Sequence, residues 1–406
     1  MRLSAALPIK LKQRPQTGNH MTKICCDLSV RSLQTFVISL LLTAGLSGQE
    51  LQTDTGESPL FRGEQLLLAG SYAAAADMFQ MADGLNRNEG IVGASKAFFS
   101  MGNSLEAINV AEAFIEDVDY ARYPLVSTQL AEVKREIGQS SEALEILAVV
   151  VEEQFEPPLR TLVQYGSLLK LVSRKSEAEQ VLSLAVQRYN NGLVFASEEV
   201  GMVALASWLL GDFHDANSLF SEAVRANPNN LEAHVLWGNL FLEKYNASDA
   251  ERSYQEALDI NSRYIPALVG MAKVAGDERS LTRALAINPN SVLALETYGQ
   301  LLLMNSRDDE AKEYFERALD LNPQSLKTLS ILAAEAALNQ RTDQFEQYKA
   351  RVDAFSPNNP QFLGDIADTF GNNYLFTEAV DFARAAIESD PEYWHCLLYT
   401  SDAADE

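Results

Sequence analysis

Pro289, Pro323, Pro357 and Pro391 follow one another at an unbroken interval of 34 residues. Pro228 sits on the same ladder, with Ser262 in place of its next rung. A fixed period of this length belongs to arrays in which each unit is one pair of helices. The residue before a proline is pushed out of the helical region, so each rung ends the second helix of its unit. One such pair cannot bury its apolar face alone, but stacked pairs share a continuous core.

The residues between the rungs keep the same period. With each proline at position 32, position 8 is small: Ala204, Gly238, Gly299, Ala333 and Ala367. Position 20 is alanine at 216, 250, 311 and 379, and position 27 is alanine at 223, 257, 318 and 386. Position 24 is aromatic at Phe220, Tyr254 and Phe315. Antiparallel helices approach closely only where one side is small, and a larger residue at the crossing overpacks at roughly 1–3 kcal/mol. Upstream, Ala75, Phe79 and Ala82 occupy positions 20, 24 and 27, Ala107 and Ala143 occupy position 20, and Ala178 and Ala185 occupy 20 and 27.

Segments such as LEAHVLWGNLFLEKYNASDAERSYQEALDIN and LALETYGQLLLMNSRDDEAKEYFERALDLNP resemble tetratricopeptide repeats. The resemblance implies an all-α chain, a right-handed α-solenoid of antiparallel helix pairs. About ten units are expected over residues 56–393. One is shortened at 265–289, with the missing residues around Gly276 and a clipped second helix. An extra stretch at 191–196 and the short unit should each bend or retwist the stack. The implied surface is extended and suited to holding a partner.

The N-terminus differs in kind. Residues 1–34 carry Arg2, Lys10, Lys12, Arg14, Lys23 and Arg31 against Asp27, and the apolar run FVISLLLTAGL follows at 36–46. A membrane span needs about 20 residues. This shorter run suits a signal peptide over 1–48, with Met21 as an alternative start and 49–55 as a linker. The expected location is periplasmic or secreted, without membrane insertion after cleavage. The alternative is an uncleaved N-terminal anchor. At the other end, residues 396–406, CLLYTSDAADE, read as a non-native tail that resembles a translated sequencing adapter. On that reading the last repeat lacks a polar cap, and self-association through it is an expectation.

The formal net charge is −24. Without the leader's six bases and one acid, and the tail's three acids, residues 49–395 carry −26. A body this acidic repels nucleic acid and anionic lipid and favours basic or uncharged partners. Catalytic and metal patterns are absent. His20, His214, His234 and His395 show no ligand spacing, and there is no His-Glu-x-x-His, Cys-x-x-Cys, Gly-x-Ser-x-Gly or phosphate-binding loop. The chain reads as a non-enzyme with no cofactor.

In tetratricopeptide arrays, positions 2, 5, 9 and 12 of the first helix line the concave side. The resemblance therefore places a peptide-binding groove at Glu132, Arg135, Ser167, Lys170, Leu205, Trp208, Asn239, Leu242, Gln300 and Leu303. Trp208 and Leu242 form an apolar stretch suited to an extended or helical peptide, or Trp208 packs neighbouring repeats. The carboxylate clamp of chaperone adaptors is not matched: Asn239 fits position 9, but Val235 and Gly270 stand where the clamp needs polar groups. The asparagine ladder of glycosyltransferase arrays is missing too, with Gln164, Met202, Leu236, Thr297 and Ile331 at position 6. The expected function is a non-catalytic protein- or peptide-binding scaffold of the bacterial cell envelope. The alternative is the N-terminal part of a secreted enzyme whose zinc-peptidase-like domain lies downstream.

Overall fold

The computed structural model describes residues 58–115 and 119–391; the expected leader, the 49–55 linker and the 396–406 tail lie outside them. The described residues form twenty α-helices and no strand. They run as ten antiparallel pairs. The first four are α1 (Pro59–Leu68) with α2 (Tyr72–Gln80), α3 (Arg87–Ser100) with α4 (Ser104–Glu112), α5 (Pro124–Glu136) with α6 (Ser140–Glu153), and α7 (Leu159–Leu171) with α8 (Lys175–Asn190). The next three are α9 (Ser197–Leu209) with α10 (Phe213–Ala226), α11 (Leu231–Glu243) with α12 (Ala247–Ile260), and α13 (Ile265–Ala275) with α14 (Glu278–Ile287). The last three are α15 (Val292–Met304) with α16 (Asp308–Leu321), α17 (Leu326–Leu338) with α18 (Thr342–Asp353), and α19 (Pro360–Asn372) with α20 (Phe376–Ser389). Each first helix packs on its partner and on the first helix of the next pair, which builds an all-α solenoid.

Small residues make the crossings. The alanines at positions 20 and 27 of units five, six, eight and ten are buried, as are Phe220, Tyr254 and Phe315 at position 24, none of them more than 1% exposed. Tyr254 wedges between two glycines of successive first helices: a Cβ on Gly238 would lie 2.6 Å from its ring, and one on Gly270 closer still. Gly299 stands in the same relation to Phe315, at 2.6 Å. An alanine at any of these points would displace a buried ring.

The linkers are locally encoded. Asn261, Asn288 and Asn322 at position 31 each accept from the backbone N–H two residues on, at 2.9, 2.8 and 3.0 Å, in an Asx turn. Three residues after position 31, Asn230, Ser291, Ser325 and Asn359 accept from the third backbone N–H of the following helix and cap it. Within each pair the turn passes through one left-handed residue, at Gly70, Gly102, Gly138, Gly211 and Gly276, but also at Ser173, Tyr245, Ser306, Gln340 and Tyr374. The left-handed conformation lets that residue's own N–H and the next one reach back to the helix, as Tyr245 and Asn246 do to Leu242 and Phe241 oxygens at 3.1 and 2.9 Å.

In the seventh pair α14 has 10 residues against 14 in α12 and α16, and α13 has 11 against 13 in α11 and α15. Its turn is one residue shorter, Gly276 and Asp277 against Lys244–Asn246. Together these changes make up the seven residues by which this unit falls short of the period.

An extended ribbon is not what the array forms. Its later units dock on its earlier ones, with an offset of five at the contacts that follow. Tyr72 Oη donates to the Arg263 oxygen at 3.1 Å, and Arg263 Nε donates to the Gly70 oxygen at 3.1 Å. Asn290 Nδ2 reaches the Gly102 oxygen at 3.1 Å, and the Ser140 N–H reaches Gln324 Oε1 at 3.3 Å. Ser173 and Ser356 hydroxyls lie 2.9 Å apart, and Asn359 Nδ2 donates to the Leu171 oxygen at 3.1 Å. These partners are 183–193 residues apart in the chain. The seam satisfies carbonyls at first-helix ends that would otherwise lack a partner. It also turns the inner face of the first turns into the wall of an interior space.

Candidate functional site

The interior space is a cavity of about 590 Å³ walled by both turns of the coil. A second cavity of about 360 Å³ continues it and shares Glu64, Leu67, Lys96, Gln129, Arg160 and Glu198. The register explains the lining. Glu64, Lys96 and Glu132 are position 9 of the first three units, and Leu67 and Phe99 are position 12 of the first two. From the opposite side come residues at positions 1 and 2 of later first helices: Arg160, Glu198, Leu231, Glu232, Ile265 and Leu293. The C-terminal halves of early first helices thus face the N-terminal starts of later ones.

Charge is concentrated in this wall. Arg160 at the start of α7 forms a two-pronged pair with Glu232 at the start of α11, one bond being 3.0 Å and the other shorter. The two residues belong to units four and six, so the pair spans the unit between them. Its side chains are 25% and 39% exposed, so water reaches the pair. The Glu232 charge raises the Arg160 pKa. Burial works to raise Glu232, but the charge and hydrogen bonds of Arg160 outweigh it and hold the carboxyl below its usual value. Burial, followed by the Arg160 charge, lowers the Lys96 pKa against the pull of Glu132 and Glu232. Among the described residues Lys96 has no carboxylate within ion-pair distance. Burial also pushes Tyr264 up, with Glu232 adding to it.

Acceptors are in surplus beside Glu132. Gln164 Nε2 donates to Glu132 Oε2 at 2.8 Å, while Gln164 Oε1 is buried with no partner. Gln129, one turn before Glu132 on α5, is 3% exposed, lines both cavities, and its Oε1 also has no partner. Farther along the coil, Glu296 on α15 accepts from the Ser325 hydroxyl and, at 2.9 Å, from Thr328 Oγ1 of the next unit. Burial raises its pKa, and those hydrogen bonds only partly offset the rise.

Of the ten groove residues expected from sequence, Glu132 lies in the cavity wall. Arg135 pairs with Glu136 at 2.5 Å beside it. Lys170 Nζ donates to the Leu209 oxygen at 2.5 Å, and Trp208 Nε1 donates to Glu243 Oε2 at 2.9 Å, so both tie one unit to the next. Asn239 Oδ1 is taken by the Tyr254 hydroxyl at 2.7 Å. Leu242 and Leu303 pack against the clusters around Tyr254 and Phe315. Ser167, Leu205 and Gln300 are half-buried. Lys96, Gln129, Arg160 and Glu232 were not among the ten. Three of them sit at positions 2 and 9, so register offered the signal, but nothing local says which end of each helix the opposite turn will face.

Among the described residues no group of three or more His, Cys, Asp or Glu could hold a metal ion. No helix there is long and apolar enough to cross a membrane. His234 is buried between helices, with Nε2 2.9 Å from the Pro228 oxygen and Nδ1 3.1 Å from Glu256 Oε2.

The model of the tetratricopeptide repeat matches residues 204–265 and 278–325. Over those residues the chain is similar to tetratricopeptide repeats, and a helix pair with small residues buried at its crossings recurs through the described residues. No curated protein matches it. Among solved structures it is similar to the crystal structure of the APC/C hetero-tetramer Cut9–Hcn1, at 13% identity and a TM-score of 0.43, over 84% of this chain and 82% of that one. Repeats of this family are protein-interaction modules, and the array is a protein-interaction scaffold.

Proposed function

We propose that this protein is a non-catalytic scaffold of the bacterial cell envelope that takes a protein or peptide along its inner face. The observation that carries the reading is the cavity wall: five carboxylates and two cations set among leucines, isoleucine, phenylalanine and tyrosines. Such a surface suits a partner with both apolar and basic side chains. The leader-like residues 1–48 support the location, and the net charge of −24 argues against nucleic acid as partner. The expected groove residues Leu205 and Trp208 would extend the contact beyond the cavity.

Two measurements test this. Cell fractionation with N-terminal sequencing of the mature chain should find it outside the cytoplasm, beginning near residue 49. A photo-crosslinker placed at Leu205 should capture partner, whereas one at the exposed Arg252 of the outer face should not. Cytoplasmic retention overturns the location, and equal capture from both positions overturns the inner face.

A further inference from the structure

The polar groups around Glu132 on α5 lack donors. Gln129 Oε1 and Gln164 Oε1 are buried without a partner, and Glu132 receives one hydrogen bond from Gln164. A buried acceptor left unsatisfied costs about 1–3 kcal/mol. Two of them flanking a carboxylate is an arrangement that folding alone does not favour. The cavity that Gln129 and Glu132 line is net acidic, with Glu64, Glu132, Glu136, Glu198 and Glu232 against Lys96 and Arg160. Arg160 is committed to Glu232. Apolar wall lies alongside, from Leu67, Phe99 and Ile265.

We propose that this cavity is a binding site for an organic cation, an ammonium or guanidinium group on an apolar stem. The charged head donates to Glu132 and Gln129, and the stem lies against the Leu67–Phe99 side. A donor-rich cation supplies what the site is short of and reduces its net negative charge. An anion would leave the Gln129 oxygen unsatisfied and add repulsion. Lys96, a wall cation with no carboxylate within ion-pair distance among the described residues, opposes the cation and sets a direction for the test. The site is independent of the scaffold reading, because a free small cation can fill it whether or not a protein partner lines the rest of the inner face.

Calorimetric titration of the full chain with butylguanidinium, butylammonium and butyrate provides the test. The two cations should bind and butyrate should not. Glu132→Gln should weaken cation binding by roughly tenfold or more, the loss of a charge-assisted bond. Lys96→Met should tighten it by roughly severalfold, the loss of a like charge. Gln129→Leu should weaken binding yet raise the melting temperature of the ligand-free chain, because it removes an unsatisfied buried acceptor. A glutamine with a merely structural role would lower it. Binding of butyrate, abolition of binding by Lys96→Met, or unchanged binding by Gln129→Leu overturns the proposal. Titration with acetyl-arginine amide and with a Leu-Arg-Leu peptide separates the sources. Equal affinity assigns a free cation, and tighter binding of the peptide assigns a basic side chain.

Discussion

Asn290 donates from its side-chain nitrogen to the backbone oxygen of Gly102 at 3.1 Å, across 188 residues of chain. The bond joins the turn of the second helix pair to the linker after the seventh. With its neighbours along the seam it determines that the coil closes on itself and that its inner face becomes a cavity.

Glycines at the seam should be less replaceable than glycines in equivalent turns elsewhere. Gly138 and Gly211 both have positive φ, 78° and 90°. A Cβ on Gly138 would fall 2.7 Å from Asn322 Oδ1 and 3.0 Å from Pro323 Cδ, whereas Gly211 has nothing within 4 Å. Gly211→Ala should cost the left-handed strain alone, about 1–2 kcal/mol. Gly138→Ala should cost about 2–4 kcal/mol, since overpacking adds to strain. It should also enlarge the radius of gyration in solution scattering. Equal melting shifts and unchanged scattering would remove the seam from the account.

Breaking the Arg160–Glu232 pair should destabilise the array by about 1–3 kcal/mol, below the loss for a fully buried pair because water reaches both groups. Urea midpoints of Arg160→Met and the parent measure it. The pH dependence follows from the lowered carboxyl of Glu232. Its contribution is full above the usual value of 4.5 and is lost as pH falls through the lowered folded value. Arg160→Met should therefore lie below the parent at neutral pH and approach it in strong acid. A constant gap across that range would contradict the assignment.

Glu296 should behave in the opposite sense. Burial raises its carboxyl, so the ionised form costs stability above the folded pKa, and the cost disappears below the usual 4.5. Glu296→Gln keeps an acceptor for Ser325 and Thr328 and should be the more stable chain at neutral pH. The advantage should vanish near pH 4, as read by thermal melting. A variant less stable than the parent at pH 7 would show that the hydrogen bonds outweigh burial.

Tyr254 has two roles that substitution separates. Its ring fills the space between Gly238 and Gly270, and its hydroxyl donates to Asn239 Oδ1 at 2.7 Å. Tyr254→Phe should cost about 1–2 kcal/mol, the loss of one hydrogen bond with a stranded acceptor. Tyr254→Ala should cost about 3–5 kcal/mol through the cavity left behind. Denaturant unfolding should rank them in that order.

Sequence alone determined the helix pair and its packing. Ala250, Tyr254 and Ala257 could be assigned to the core from a period of 34, and the glycines against the Tyr254 ring, Gly238 and Gly270, lie within one unit's length of it. Local chemistry also encoded the linkers, through asparagine turns and serine or asparagine caps. What only the tertiary structure decided is which faces of distant units meet. That depends on the rotation from each unit to the next, summed over five units and altered by the short α13–α14 pair. A small change in each step moves Asn290 away from Gly102 altogether. For this reason Glu132 was legible as an inner-face residue, while its meeting with the starts of α7 and α11 was not.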